Sequence, residues 1–155
     1  GEVNGMNLKS CLSAMDQSNA AAAKIFVASG ATSMTDVTGF GFLGHLWEMV
    51  RGSQFGVRLN ISAIPIFEGV IELIASGITS SLQESNESVL QEFVIDSRVD
   101  VTKLKALVDP QTSGGLLASV PENLAPDCLR KLQGAGYAAS VVGNVIDSAE
   151  RAIGP

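Results

Sequence analysis

Thr35-Asp36-Val37-Thr38-Gly39-Phe40-Gly41-Phe42-Leu43-Gly44-His45 sets one carboxylate and three glycines where an extended segment turns into a helix. A helix start exposes unpaired backbone N–H groups and a partial positive charge, which suits phosphate. Glycine lets the backbone approach an anion closely, or take positive φ, without a side-chain clash. An aspartate beside such a start can hold a hard cation such as Mg2+ that the phosphates share. The stretch points to chemistry on a metal-bound nucleotide. One carboxylate is too few to make a metal site.

The bland alternative is that Asp36 or Thr38 simply caps the helix, a contribution of about 1 kcal/mol. Against it stands the glycine density: Gly39, Gly41 and Gly44 each cost a helix about 1 kcal/mol relative to alanine. A helix built only for stability does not open that way, although Gly44 also suits close packing.

Working outward, a short strand runs into Met34-Thr35, and an amphipathic helix follows from about Gly39 to Arg51. Its apolar face is Phe40, Leu43, Trp47 and Val50, and Gly52 closes it. Upstream, Leu8, Cys11, Leu12 and Met15 recur at i, i+3, i+4 and i+7, predicting a buried helical face. Ser18 or Asn19 breaks that helix, and Ala20 to Ala28 continues as another that buries Ala22, Ile25 and Phe26 up to Gly30. Downstream, Phe55 to Ile61 alternates with period two and reads as a half-buried strand. A helix after Pro65 turns Ile66, Val70, Leu73 and Ile74 inward and stops at Gly77. Residues 78–88 are polar and read as a surface loop.

Phe93-Val94-Ile95 is a short strand candidate, and Thr102 caps a helix through Val108. Leu116 to Val120 is a strand ended by Pro121. Ala125, Cys128, Leu129 and Leu132 mark a last amphipathic helix. Ala138–Val142 and Asn144–Ile146 read as closing strands. The pattern predicts one α/β domain over residues 1–155, helices packed on a mixed sheet.

Sixteen acidic against ten basic residues give a formal charge of −6. With no Lys/Arg cluster, nucleic acid is excluded as a partner. No apolar run reaches the ~18 residues of a membrane span. Cys11 and Cys128 lack metal-ligand spacing and fall on apolar helical faces, which reads as buried thiols in a reducing, cytoplasmic compartment. Gly1-Glu2-Val3-Asn4-Gly5 reads as a start made mid-chain.

Asp109-Pro110-Gln111-Thr112-Ser113-Gly114-Gly115 is the second constellation. Asp-Pro begins a turn, Thr112 and Ser113 supply hydroxyls, and the glycines free the backbone ahead of a strand. Such a run can form an anion-binding nest, though a tight turn is its commoner use. His45 is the only histidine, which rules out histidine-based metal sites and Ser-His-Asp triads. One turn before Glu48 on the polar face, it reads as a surface residue weakly paired to that carboxylate. Trp47 and the phenylalanines are spaced as core. Ser80, Ser81 and Asn86 belong to a capped loop by default.

Together, Thr35 to Gly41 with Gly44-His45, and Asp109 to Leu117, closely resemble the C-terminal domain of the selenophosphate synthetase (selenide, water dikinase) family. The resemblance runs from about Asn19 to Gly143, with Gly77, Ser80, Ser81, Leu82 and Asn86 as a further shared cluster. It places the chain in the aminoimidazole ribonucleotide synthetase superfamily and implies the C-terminal domain fold of that superfamily. It also implies an ATP-dependent conversion of selenide and water to selenophosphate, AMP and phosphate, needing Mg2+ and a monovalent cation, K+, within selenium metabolism and selenocysteine biosynthesis.

On this resemblance Asp36 is a metal ligand beside aspartates of an N-terminal domain. Thr38, Gly39 and Gly41 shape a phosphate-facing loop, and Thr112, Ser113 and Gly114 face the same cleft. The partners it implies are ATP, selenide and an N-terminal half outside this sequence. That half carries the reactive Cys or selenocysteine, most ATP contacts and the main homodimer contacts. The 155 residues alone are then expected to be catalytically silent. Two other readings stay open: a superfamily relative acting on a purine precursor or thiamine phosphate, and a non-catalytic binding module in a fusion protein.

Overall fold

The computed structural model describes residues 5–155; the opening Gly1–Asn4 lies outside them. Two sheets organise the described residues. Strands β1 (Ser33–Asp36) and β4 (Leu116–Ser119) form an antiparallel ribbon. Strands β2 (Gly56–Asn60), β3 (Val94–Ile95), β5 (Gly143–Ile146) and β6 (Arg151–Gly154) form a mixed sheet in the order β3-β6-β2-β5. Only the β2–β5 pairing is antiparallel in that sheet. A mixed sheet with packed helices is the expected architecture; the separate ribbon refines it.

Alternation gives the larger sheet two unlike faces. Ile95, Ile153 and Leu59 share one register row, while Val94, Ala152, Arg58 and Asn144 share the next. Ile153, Leu59 and Val57 are buried against helices α3 (Gly41–Val50) and α6 (Val101–Val108), which contribute Leu43, Leu46, Val50, Leu104, Leu107 and Val108. A smaller core joins α2 (Ala20–Ala28) to α7 (Ala125–Gly134) through Ala22, Cys128 and Leu132, with Leu116 and Val120 packed against it.

Several expectations are corrected. Helix α1 (Gly5–Met15) forms, but Leu8 and Leu12 are 51% and 52% exposed while Cys11 and Met15 are half-buried, so its apolar stripe is only partly covered by the described residues. Phe40 and Phe55 are also largely exposed rather than core. The helix after Pro65 is shorter than expected, α4 (Val70–Ala75), with Ile66 before it. Residues 78–88 are not merely a loop: they contain α5 (Gln83–Glu87), whose Gln83 is buried and donates to Lys105 O at 3.1 Å. Asp100, not Thr102, caps α6, accepting from Thr102 N at 2.7 Å. Residues 138–142 are not strand, and β6, which the pattern does not reveal, sits in the middle of the sheet.

Candidate functional site

Asp36 ends β1 opposite Leu116, and Val37 N donates to Gly115 O at 3.0 Å. The two glycine motifs, far apart in sequence, thus lie backbone against backbone. Thr38 O accepts from both Gly41 N and Gln111 N at 3.0 Å, stitching the turns together beyond the ribbon. Gly114 runs so close to Val37 that a Cβ there would stand 2.2 Å from Val37 O. Asn19 Nδ2 donates to Gly114 O at 3.0 Å and Ser113 Oγ to Met15 O at 3.1 Å, tying the second loop to the α1–α2 junction. Thr112 stands exposed at its tip.

Asp36 does not cap α3. The cap position belongs to Phe40 and carries no side-chain bond, and the Asp36 carboxylate is exposed with no hydrogen bond or ion pair among the described residues. Thr38 does not cap α3 either; its hydroxyl meets His45 Nε2 at 3.0 Å. Gly41 begins the helix at φ +68°, where a Cβ would lie 2.6 Å from the Val108 carbonyl carbon. Its glycine is therefore required by packing on α6. Gly39 is exposed with open space where a Cβ would go.

His45 is the largest correction at the site. It is only 7% exposed, not a surface residue, although its pairing with Glu48 Oε2 at 3.1 Å is as expected. The Phe40 ring stands over it, 5.6 Å between centroids and tilted by 48°. Gly44 makes room for that arrangement, since a Cβ there would fall 2.6 Å from Phe40 Cβ.

Asn86 is the strap of the site, in a segment the sequence reads as loop. Its Nδ2 donates to Gly39 O and to Val108 O, both at 2.9 Å. Asn86→Asp turns a two-proton donor into an acceptor facing two carbonyls. The expected loss is about 2–3 kcal/mol in denaturant unfolding, since two carbonyls lose their donor and gain a repelling charge. A loss below that of an ordinary surface substitution would show that Asn86 holds nothing.

Burial pushes the Asp109 carboxyl above its ordinary value of 3.8. The folded chain then binds that proton more tightly than the unfolded chain, so stability falls as pH rises from 3.8 through the folded value. Asp109→Asn retains an oxygen for Gln111 Nε2, now 3.4 Å from Asp109 Oδ2. It is expected to raise the unfolding midpoint at pH ~7 and to give no gain at pH ~3, where an ordinary carboxyl is already protonated.

An open groove of about 310 Å3 flanks this corner, lined by Phe40, Trp47, Glu48, Arg51 and Asn86 among others. A second groove, of about 330 Å3, crosses the outward face of the larger sheet at Arg58, Val94, Asp96 and Ala152, and shares no residue with the glycine motifs. No group of three or more His, Cys, Asp or Glu side chains among the described residues could hold a metal ion. Asp36 alone could supply no more than one ligand to a metal, and its exposed carboxylate, uncommitted among the described residues, is free to do so. No helix among the described residues is long and apolar enough to cross a membrane.

Comparison with known proteins identifies the family. The family model of the AIR synthase related protein, C-terminal domain, matches residues 7–154. The chain is 37% identical over 138 residues to a selenide, water dikinase of Clostridioides difficile (strain 630), covering 87% of this chain and 39% of that protein. It is 44% identical over 124 residues to selenide, water dikinase 2 of Peptoclostridium acidaminophilum, covering 78% of this chain and 35% of that protein. A selenide, water dikinase of Geobacter metallireducens is 36% identical over 135 residues, covering 87% of this chain and 39% of that protein. The chain therefore spans between 35% and 39% of the length of these curated relatives. With the match running almost from end to end, the chain belongs to the AIR synthase related proteins, in the family of their C-terminal domain.

Proposed function

We propose that residues 1–155 form one wall of the ATP- and metal-binding cleft of a selenophosphate synthetase. The complete protein converts ATP, selenide and water to selenophosphate, AMP and phosphate. The observation that carries this reading is the ribbon joining the two glycine motifs, which leaves the Asp36 carboxylate exposed at its end and without a partner among the described residues. The identity to proteins named selenide, water dikinase over 78–87% of the chain supports the choice of substrate.

In this reading Asp36 is a Mg2+ ligand, and Thr38, Gly39 and Gly41 shape the loop beside the phosphates. Thr112, Ser113 and Gly114 contribute to the same wall. Mg2+ when bound neutralises phosphate charge, and K+ is the monovalent cation. Phosphoryl transfer depends on positioning and charge neutralisation, and a single carboxylate with backbone donors completes a site rather than forming one. An N-terminal half supplies the remaining metal ligands, most ATP contacts, the reactive Cys or selenocysteine and the homodimer contacts. This domain alone is accordingly inactive, and the complete protein works in the cytoplasm.

The test is 31P NMR of the full-length protein with MgATP, with and without selenide under reducing conditions. Selenide-dependent selenophosphate with AMP and phosphate is the expected result. ATP left intact, or cleaved to ADP whatever the selenide level, moves the function to a superfamily relative or a binding module.

A further inference from the structure

A buried imidazole needs partners for both ring nitrogens, and His45 has two of unlike kind. Nδ1 lies 3.1 Å from Glu48 Oε2, and Nε2 lies 3.0 Å from Thr38 Oγ1. An ionised carboxylate can only accept, so in the neutral ring the proton sits on Nδ1. Nε2 is then a lone pair, and the hydrogen between it and Thr38 must be the hydroxyl's own. Thr38 donates to His45 and keeps only lone pairs for anything else.

We infer that Glu48, His45 and Thr38 form a positioning relay that fixes Thr38 Oγ1 as an acceptor, so that the group it meets is a cation, its bound water or another donor, and not a phosphate oxygen. His45 and Glu48 are positioning residues here; neither needs to touch a ligand. The rest of the corner holds the relay still. Thr38 O is pinned by Gly41 N and Gln111 N, and the tilted Phe40 ring stands over the imidazole. Thr38 is half-buried rather than sealed, which leaves its oxygen approachable. For Thr38 to donate to phosphate, it must abandon Nε2 and leave a buried lone pair unpaired. The relay thus divides the labour of the loop: backbone N–H groups suit the anion, and the Thr38 side chain suits the cation beside it.

The inference rests on the reading of this loop as part of a metal–nucleotide cleft, and its first test does not. In full-length protein labelled with 15N-histidine, His45 is assigned by the signal lost in His45→Gln. Its protonated nitrogens are then read from long-range 1H–15N correlations. The expected state is Nδ1 protonated and Nε2 bare, and Glu48→Ala, at an exposed carboxylate, shifts the ring toward the other tautomer. A proton on Nε2 in the wild type, with or without one on Nδ1, overturns the relay. The second test is the Mg2+ dependence of ATP turnover. Thr38→Val is expected to raise the half-saturating Mg2+ concentration about tenfold, the size of one lost polar contact. Thr38→Ser, which retains a hydroxyl, restores that dependence. An unchanged Mg2+ requirement in Thr38→Val overturns the cation assignment. Failure of the wild type to make selenophosphate would sink the functional reading, while the tautomer still decides the relay.

Discussion

Asp36→Ala is expected to leave the domain folded and to cost the complete protein about 10²–10³ in ATP turnover, the usual loss when one charge-stabilising group is removed from a phosphate or oxyanion site. The stability half comes from the structure, and the turnover half from the proposed role of Asp36 as a Mg2+ ligand. The Asp36 backbone is locked into the β1–β4 ladder opposite Leu116, yet its carboxylate is exposed and engages nothing among the described residues. Removing an uncommitted surface side chain changes stability by no more than about 0.5 kcal/mol. Asp36→Asn, which keeps an oxygen without the charge, is expected to fall between alanine and wild type. Measuring unfolding midpoint and ATP consumption side by side separates the cases. A normal midpoint with normal turnover would remove Asp36 from the metal site. A midpoint lowered by several degrees would make it a structural residue after all.

The second large effect is a contrast between adjacent glycines. Gly114→Ala places a Cβ 2.2 Å from Val37 O and 3.1 Å from Val37 C, backbone atoms that have no rotamer to escape into. The ribbon must open to admit it, straining the Val37 N to Gly115 O bond that joins the two motifs. A loss of about 2–4 kcal/mol follows from overpacking against rigid backbone. If Asp36 ligates the metal as proposed, turnover falls with it, because Asp36 is carried by the displaced strand. Gly115→Ala meets nothing within 4 Å and should leave stability within about 0.5 kcal/mol of wild type. Equal stability for the two variants would show that the close approach at Gly114 is not a constraint.

Elements with a strong period or clear punctuation are legible from sequence: α2 and α3 stop just before Gly30 and Gly52, both at positive φ, and β2 alternates Val57 and Leu59 against Arg58. The failures have specific causes. Leu8 and Leu12 obey helical spacing, but period reports only that residues share a side, and the described residues cover that side only in part, at Cys11 and Met15. His45 lies on what a helical wheel marks as the polar face. The glycine loop folds back over that face, bringing Thr38 and Phe40 onto the ring and burying it. Asp100 and Thr102 are both good caps two residues apart, and spacing does not choose between them. Arg151–Gly154 is too short to show alternation, and its strand character comes from neighbours on both sides. Within the candidate site, both motifs were visible as motifs. Their adjacency, and the straps from Asn86 and Asn19, depend on long-range contacts that local pattern does not encode.

The place of β6 in the sheet has a consequence for how the domain comes into being on the ribosome. Its Ile153 is 1% exposed and stands between Ile95 and Leu59, so the innermost seam of the sheet is the stretch translated after every other element described here. Until Arg151–Gly154 emerges, β2 and β3 have no strand between them, and the helices above lack part of their floor. Pairings this distant along the chain form slowly and leave apolar surface open meanwhile. The nascent domain is thus held unfinished, and most in need of chaperone cover, until its last four-residue strand is threaded into the gap.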